Sequence, residues 1–565
     1  MLWVRWFWLT TALAGAPWDS VHPSHTLERV AFGSCNKQQR PQPLWPLIAE
    51  HRPSLFLWCG DAIYPYGRRT AQGRKKHAAV EGKDLAGAYA LQLRNDNYTR
   101  FLRNSSSRSS SHSSSSSNSS SSSHSSSGGS GSKGVLVEGV FDDHDYGGND
   151  AGRELPFRGA SQRHFLDFLA ASNDLSGASS ASSTSGASSQ ADSLPSQRHD
   201  ERAGMYSSHL FGPPGRRVAV LLLATRDHRD LHYLPSAASA RWLPFGAVLA
   251  ALGRWLCAAC GLGLRHRGDV LGEAQWAWLE AVLRESSGGG GGGGSDDGAA
   301  AFHVIVSSVQ LHTSSPFVES WGHFPAAKRR LLRLLGAHRP RGAVFLSGDV
   351  HFAELLGGGG GSSSSSSSSS SAAAKPVLEV TSSGLTHHVG LPWWRAAARW
   401  VLRAFPGHRP RADAYYVGLN FGTLRFDWAA AAGEEKEEEE EQEKEKEEGL
   451  QGARCGGGGG GSGACLTVDV RDAAGVVRLS ASRTAARYDA AWDAGMPPVI
   501  SEHGGAARAR VLSALALVLW CASLCARRLW KWSALRCRRG TQRHPASAAA
   551  AVIDATTTLA KSKTE

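Results

Sequence analysis

Residues 55–64 read LFLWCGDAIY. Five apolar residues, Leu55–Cys59, run without a polar interruption and stop at Gly60-Asp61. A strand with one wet face alternates apolar and polar side chains, whereas a strand buried on both faces does not. The run therefore predicts a strand inside a layered sheet, with a turn at Gly60 and the carboxylate of Asp61 at its carboxyl end. Open α/β sheets bind their ligands outside those ends. Tyr64, three residues further on, sits in the same predicted loop.

Other stretches repeat this arrangement. Arg29–Phe32 is a short strand leading to Ser34-Cys35-Asn36, and Val135–Phe141 leads into Asp142-Asp143-His144-Asp145-Tyr146. Val218–Ala224 and Phe302–Val309 are apolar strands, Ala343–Leu346 leads to Ser347-Gly348-Asp349-Val350-His351, and Leu378–Val380 is one more. Helix-like segments such as Leu271–Glu285 and Ala326–Leu335 lie between them. Buried strands separated by helices predict an α/β layered sheet. Gly422–Trp428 and Leu466–Leu479 read as antiparallel strands, the latter turning at Asp472–Gly475.

Four strand ends thus deliver Asp, His, Cys or Tyr. Carboxylate and imidazole ligands suit divalent metals, while Cys and Tyr favour a redox-capable ion such as iron. A lone Asp-Asp-His-Asp run is as readily a solvated acidic face. Four such clusters at four strand ends point to one metal site.

The chain has 565 residues, 41% hydrophobic, with 64 Gly and 19 Trp. The aromatic content excludes a wholly disordered chain, and the absence of a glycine period excludes collagen. A mean hydropathy of −0.28 excludes a polytopic membrane protein. Five low-complexity inserts interrupt the pattern, near residues 104–133, 173–198, 287–300, 357–375 and 429–463. Such inserts cost little when they replace surface loops, because closure entropy grows slowly with length. What remains is enough for one large domain, 27–485.

Residues 1–16, MLWVRWFWLTTALAGA, have the pattern of a secretory signal peptide. Residues 511–526 are uncharged, arginine-flanked and close to spanning length, so a transmembrane helix core is expected there, with a buried core helix as the alternative. The 527–565 tail carries a net +7 and belongs on the cytosolic side by the positive-inside rule. Together these predict a single-pass type I membrane protein of the secretory pathway or cell surface, with its body lumenal or extracellular. Sequons at Asn97, Asn104 and Asn118 agree with that topology, and Cys455 and Cys465 could pair in an oxidising compartment. The formal charge of +12 combines this tail with a net −8 run, Glu434–Glu448, so the body itself is only mildly basic. No RNP, zinc-finger or helix-turn-helix pattern accompanies it, and nucleic-acid binding is not expected.

In order along the chain, VAFGSCNKQ (30–38), LFLWCGDAIY (55–64), FDDHDYGGND (141–150), LLLATRDHRDL (221–231), LGEAQWAWLE (271–280), VIVSSVQ (304–310), ESWGHFP (319–325), VFLSGDVHFAEL (344–355) and EVTSSGLTHH (379–388) resemble the PhoD-like branch of the calcineurin-type metallophosphoesterases. The resemblance implies a four-layer αββα sandwich around two or more metal ions, iron plus calcium or another divalent cation. It implies Cys35, Asp61, Tyr64, Asp143, Asp349 and His351 as metal ligands, with Asp61 bridging. It places His144 against phosphate and the leaving group; there His144 would protonate or stabilise the departing alkoxide, and Asp145 would orient His144 through its second nitrogen. Arg226 would contact phosphate or form a structural salt bridge, and Asn36 and Gln310 are candidate substrate contacts. The superfamily's histidine ligand at the position of Gln310 has no clear counterpart, with His303 and His312 nearby. The implied activity is hydrolysis of phosphomono- or phosphodiesters by metal-activated hydroxide. The rival expectation is an inactive PhoD-like ectodomain acting as a binding or scaffold protein.

Overall fold

The computed structural model describes residues 18–65, 82–107, 134–178, 204–234, 253–254, 266–288, 298–313, 315, 318–357, 377–389, 392–404, 409–428 and 464–485. The expected signal peptide (1–16), span (511–526) and tail (527–565) lie outside the described residues, as does the 429–463 insert. Where inserts overlap described residues, their boundaries move. Residues 104–107 end one helix and residues 173–176 end another. Asn173 is a buried structural residue, its side chain bonding both the N–H and the C=O of Val137.

The elements, in chain order, are β1 (Ser20–His22), β2 (Arg29–Gly33), α1 (Leu44–Glu50), β3 (Leu55–Cys59), α2 (Gly82–Leu93), α3 (Asp96–Ser107), β4 (Leu136–Val140), α4 (Asp143–Tyr146), α5 (Arg158–Ser176), β5 (Ser207–Phe211), β6 (Val218–Leu223), α6 (Glu273–Ser286), β7 (Phe302–Ser307), α7 (Pro325–His338), β8 (Val344–Ser347), β9 (Ala353–Leu356), β10 (Leu378–Ser382), α8 (Pro392–Ala404), β11 (Tyr415–Tyr416), β12 (Asn420–Asp427), β13 (Cys465–Asp472) and β14 (Val477–Thr484). They build two sheets. One has eight strands in the order β1-β5-β6-β7-β8-β10-β9-β11, the other six in the order β14-β13-β12-β2-β3-β4. β6, β7, β8 and β10 run parallel, as do β2, β3 and β4. β1 precedes the expected domain start at residue 27 and pairs with β5.

The unbroken apolar runs have the two buried faces they predicted. Leu55, Leu57 and Cys59 share a core with Val220, Leu222, Val304, Val306, Val344 and Leu346 of the other sheet. Phe56 and Trp58 point the opposite way, into a cluster with Trp45 of α1, Tyr89 of α2, Phe101 of α3 and Phe168 of α5. The odd-numbered Ala219, Leu221 and Leu223 of β6 meet Trp276 and Leu279 of α6 and Leu331 and Leu335 of α7. The period-2 alternation of strand side chains thus makes layers: helices, six-stranded sheet, eight-stranded sheet, helices. Each large aliphatic side chain buried this way contributes about 1.5–3 kcal/mol.

No helix among the described residues is long and apolar enough to cross a membrane. Cys465 is disulfide-bonded, and its partner lies outside the described residues, since Cys35 and Cys59 are free. Asn97 sits half-buried in the first turn of α3, its Nδ2 donating to the Gln42 carbonyl at 2.9 Å.

Candidate metal centre

The loops leaving β2, β3, β4 and β8 converge. Potential ligand atoms fall into three groups, each within 4.8 Å: Cys35, Asp61 and His351; Asp61, Asp143 and His144; Asp61, Asp142, Asp143 and Asp349. Asp61 is common to all three. Tyr64 donates from its hydroxyl to Asp61 Oδ2 at 2.6 Å and lies 2.9 Å from His351 Nε2. The six expected ligands therefore come together, contributed by both sheets.

Sharp turns make this possible. Cys35, Asp61, Asp349 and His351 all adopt left-handed backbone, with φ of 62°, 53°, 69° and 61°. Non-glycine residues seldom do so, and such strain gathers at functional sites. Two glycines let the loops approach. A Cβ on Gly60, at φ +91°, would lie 2.5 Å from Asp142 Cβ, and one on Gly348 would collide with the Cys59 carbonyl and the Ser34 hydroxyl.

Neighbouring groups aim the ligands. Asp142 takes Arg226 Nε at 2.6 Å and Ser308 Oγ at 2.7 Å on Oδ1, while its buried Oδ2 has no partner. Asp143 accepts the Asp150 N–H on Oδ2 at 2.8 Å and leaves Oδ1 without a hydrogen bond. Ser383 accepts the His351 N–H at 2.7 Å, so its own hydrogen is available to Cys35 Sγ, 2.9 Å away.

The donor set fits cations. Burial, then the neighbouring Cys35 and Asp143, raises the Asp61 carboxyl well above its ordinary range. Burial, then Asp142 and Asp143, does the same to Asp349. Burial also pushes the Cys35 thiol up to about 11 and drives His351 down to about 3. Acids packed so closely cannot all ionise in isolation, and a bound cation would supply the missing positive charge. Sulfur, nitrogen and phenol surround one side of Asp61 and carboxylates the other, a mixed set suited to a soft or redox-capable ion beside a harder one.

Three expected site residues do other work, and a fourth keeps one of its two expected roles. Asp145 does not orient His144. It accepts hydrogen bonds from the backbone of Ala62, Ile63 and Asp142 and from the Tyr89 hydroxyl, which fills its carboxylate lone pairs. Arg226 is fully buried between Asp142 and Glu319, so of its two expected roles the salt bridge holds. Asn36 is fully buried and donates to the Ala62 carbonyl and Gln92. Gln310 donates to Glu354 and Thr381. The nearby histidines are occupied too: His303 meets the Arg341 carbonyl and Ser286, and His312 meets the Val377 carbonyl. A further histidine that reaches the centre is His387, its Nε2 3.1 Å from His351 Nε2 and its ring edge-on to Tyr64. Its position after β10, in line with the other strand ends, was the available signal. Asp142, beside the expected Asp143, was likewise overlooked.

His144 is partly open, with 27% of its side chain exposed. Its ring lies tilted against Tyr64 at 3.9 Å between centroids, and its Nε2 lies 3.9 Å from Asp143 Oδ1. Fold and site together define a mixed α/β protein of two sheets with candidate metal-binding groups at the carboxyl ends of its strands.

No protein-family model matches the chain, and no curated protein does. A solved structure titled "Structure of PhoD" aligns with 83% of this chain and 73% of its own, at 14% identity and a TM-score of 0.41.

Proposed function

We propose that the chain is a metal-dependent phosphoric ester hydrolase of the PhoD-like type. The observation that carries this is Asp61, whose carboxylate belongs to three ligand groups at once. Cys35, His351 and Tyr64 would hold an ion on one side, and Asp142, Asp143 and Asp349 one on the other. Bound cations at such a site lower the pKa of water and neutralise charge growing on phosphoryl oxygens. Tyr64, Cys35, Asp61, Asp142 and Asp143 are buried, which keeps bulk water from screening that charge. His144, partly open to solvent, is placed to pass a proton to the departing oxygen. The convergence of Cys35, Asp61, Tyr64, Asp143, Asp349 and His351 favours an enzyme over an inactive scaffold.

The test uses the purified full chain, metal analysis, and p-nitrophenyl mono- and diesters. Asp61→Asn is expected to strip bound metal and lower turnover by at least about 10²–10³-fold. Equal turnover in that variant would sink the assignment. His144→Gln should lose more on an alkyl phosphoester than on a p-nitrophenyl ester, because a good leaving group needs no proton.

The proposed setting is the secretory pathway, with residues 1–16 as leader and 511–526 as anchor. The disulfide at Cys465 agrees with an oxidising compartment. Protease protection of the catalytic body in sealed microsomes checks the orientation, and cleavage from the cytosolic side would reverse it.

A further inference from the structure

Five large hydrophobic residues are exposed among the described residues: Leu91, Leu231, Tyr233, Trp400 and Val476. Four of them occupy the end of the sandwich that holds the metal centre. Leu231, 65% exposed, and Tyr233 follow the carboxyl end of β6. Trp400, 56% exposed, lies on α8 after the carboxyl end of β10. Val476 sits in the β13–β14 turn. Asn420 pairs with Asp472 and Gly422 with Phe32, so that turn lies beside the carboxyl end of β2. Scattered exposed apolar residues are ordinary, but collected around one rim they mark an interaction face.

α8 gives that face its charge. It reads PWWRAAARWVLRA and contains no acidic residue. Arg395, Arg399 and Arg403 recur every four residues, so they form one stripe. Arg399 and Arg403 are exposed beside Trp400. Leu402 anchors the helix against Val350, Phe352 and Val417. Val350 and Phe352 flank His351, and the Val389 N–H donates to the His351 carbonyl at 3.0 Å. The helix is therefore seated on the loop that carries a metal-ligand candidate, with arginine and tryptophan outward.

We infer that α8 and the neighbouring rim dock on an anionic phospholipid surface. Arginines on a polar face with tryptophan beside them are the composition of helices that lie in the membrane interface. The positive stripe complements anionic headgroups, and tryptophan settles at headgroup level. Leu231 and Val476 distinguish this surface from a nucleic-acid face. An aliphatic side chain gains nothing against a phosphate backbone, whereas it is buried at the acyl boundary. Docking stands independently of the hydrolase proposal. Resting on that proposal, it also sets the substrate class: phosphoesters carried at a lipid surface, delivered to a centre at the same rim.

Hydrogen–deuterium exchange on the full chain, read peptide by peptide, tests docking locally and apart from any contribution of residues 511–526. Vesicles of phosphatidylcholine with phosphatidylserine should protect residues 392–404, and pure phosphatidylcholine much less. Arg399→Ser/Arg403→Ser should raise the vesicle concentration needed by about 30-fold, at roughly fivefold per arginine. Equal protection by both vesicle types, protection by duplex DNA but not by vesicles, or an unchanged double variant would overturn the inference. Hydrolysis of a soluble p-nitrophenyl ester should be unaltered in the variant, while hydrolysis of a vesicle-borne phosphoester falls. Equal loss on both esters would refute the substrate class. Wild-type protein inactive on both would remove the hydrolase proposal and leave docking to be decided by exchange.

Discussion

Asp142 and Arg226, both fully buried, show how one side chain sets the chemistry of its neighbour. Burial pushes the Asp142 carboxyl up to about 6, against the pull of the Arg226 guanidinium, which is itself held by Glu319 at 2.8 Å. Arg226→Met would leave the buried Asp142 carboxylate without its cation, while Glu319 keeps Arg229 at 3.4 Å. Loss of one partner of a buried pair costs about 3–5 kcal/mol, and loss of a group that aims a ligand lowers metal affinity roughly 10–100-fold. Thermal unfolding and metal titration of that variant measure the two effects, and an unchanged metal affinity would remove Arg226 from the centre. The ligand types were legible in sequence, because Asp61, Tyr64 and Cys35 follow strands whose ends had to meet. The partners of Asn36, Gln310, Asp145 and Arg226 were not. Those side chains turn toward Gln92, Glu354, Tyr89 and Glu319, residues remote in sequence, and no local spacing encodes that direction.

Single strands and turns carry their own predictions. Gly60→Ala should distort the β3 turn, since both the φ of +91° and the contact with Asp142 oppose a side chain. Metal content should fall while the far-UV spectrum holds, and a fully loaded variant would contradict the geometry. On β4, Glu138 lies buried with Oε1 unpartnered, and burial followed by the nearby Asp19 pushes its carboxyl from 4.5 up to about 8. The folded chain thus keeps a proton that the unfolded chain releases. Stability from this group must fall as pH rises from about 4.5 to about 8, then level off. Glu138→Gln should flatten that fall in melting temperature, and an unchanged pH profile would show that Glu138 stays ionised. The central strands were legible because their sequences are apolar on both faces. β5, which contains Ser207, Ser208 and His209, was not, since its polar groups are satisfied by Ser20 and Asp19 only after β1 arrives. Likewise α3 and α5 run into serine-rich sequence that composition assigns to inserts.

For the molecule as a whole, the inserts predict tolerance. Replacing residues 108–133 with a short Gly/Ser linker should raise stability by about 1 kcal/mol or leave it unchanged, because loop closure depends weakly on length. Chemical denaturation of the shortened chain checks this, and a large loss would assign the insert a structural part.

Cys35, Asp61 and Asp143 follow strands of the six-stranded sheet, whereas Asp349 and His351 follow a strand of the eight-stranded one. On the ribosome, the first cysteine emerges long before the last histidine. No early fragment can gather both halves of the donor set, so an ion bound there would load only once both sheets have closed on each other. A chaperone or metal supply acting on the nascent chain would find only half a site. The ion, once seated, would then act as a rivet across the joint between the two sheets.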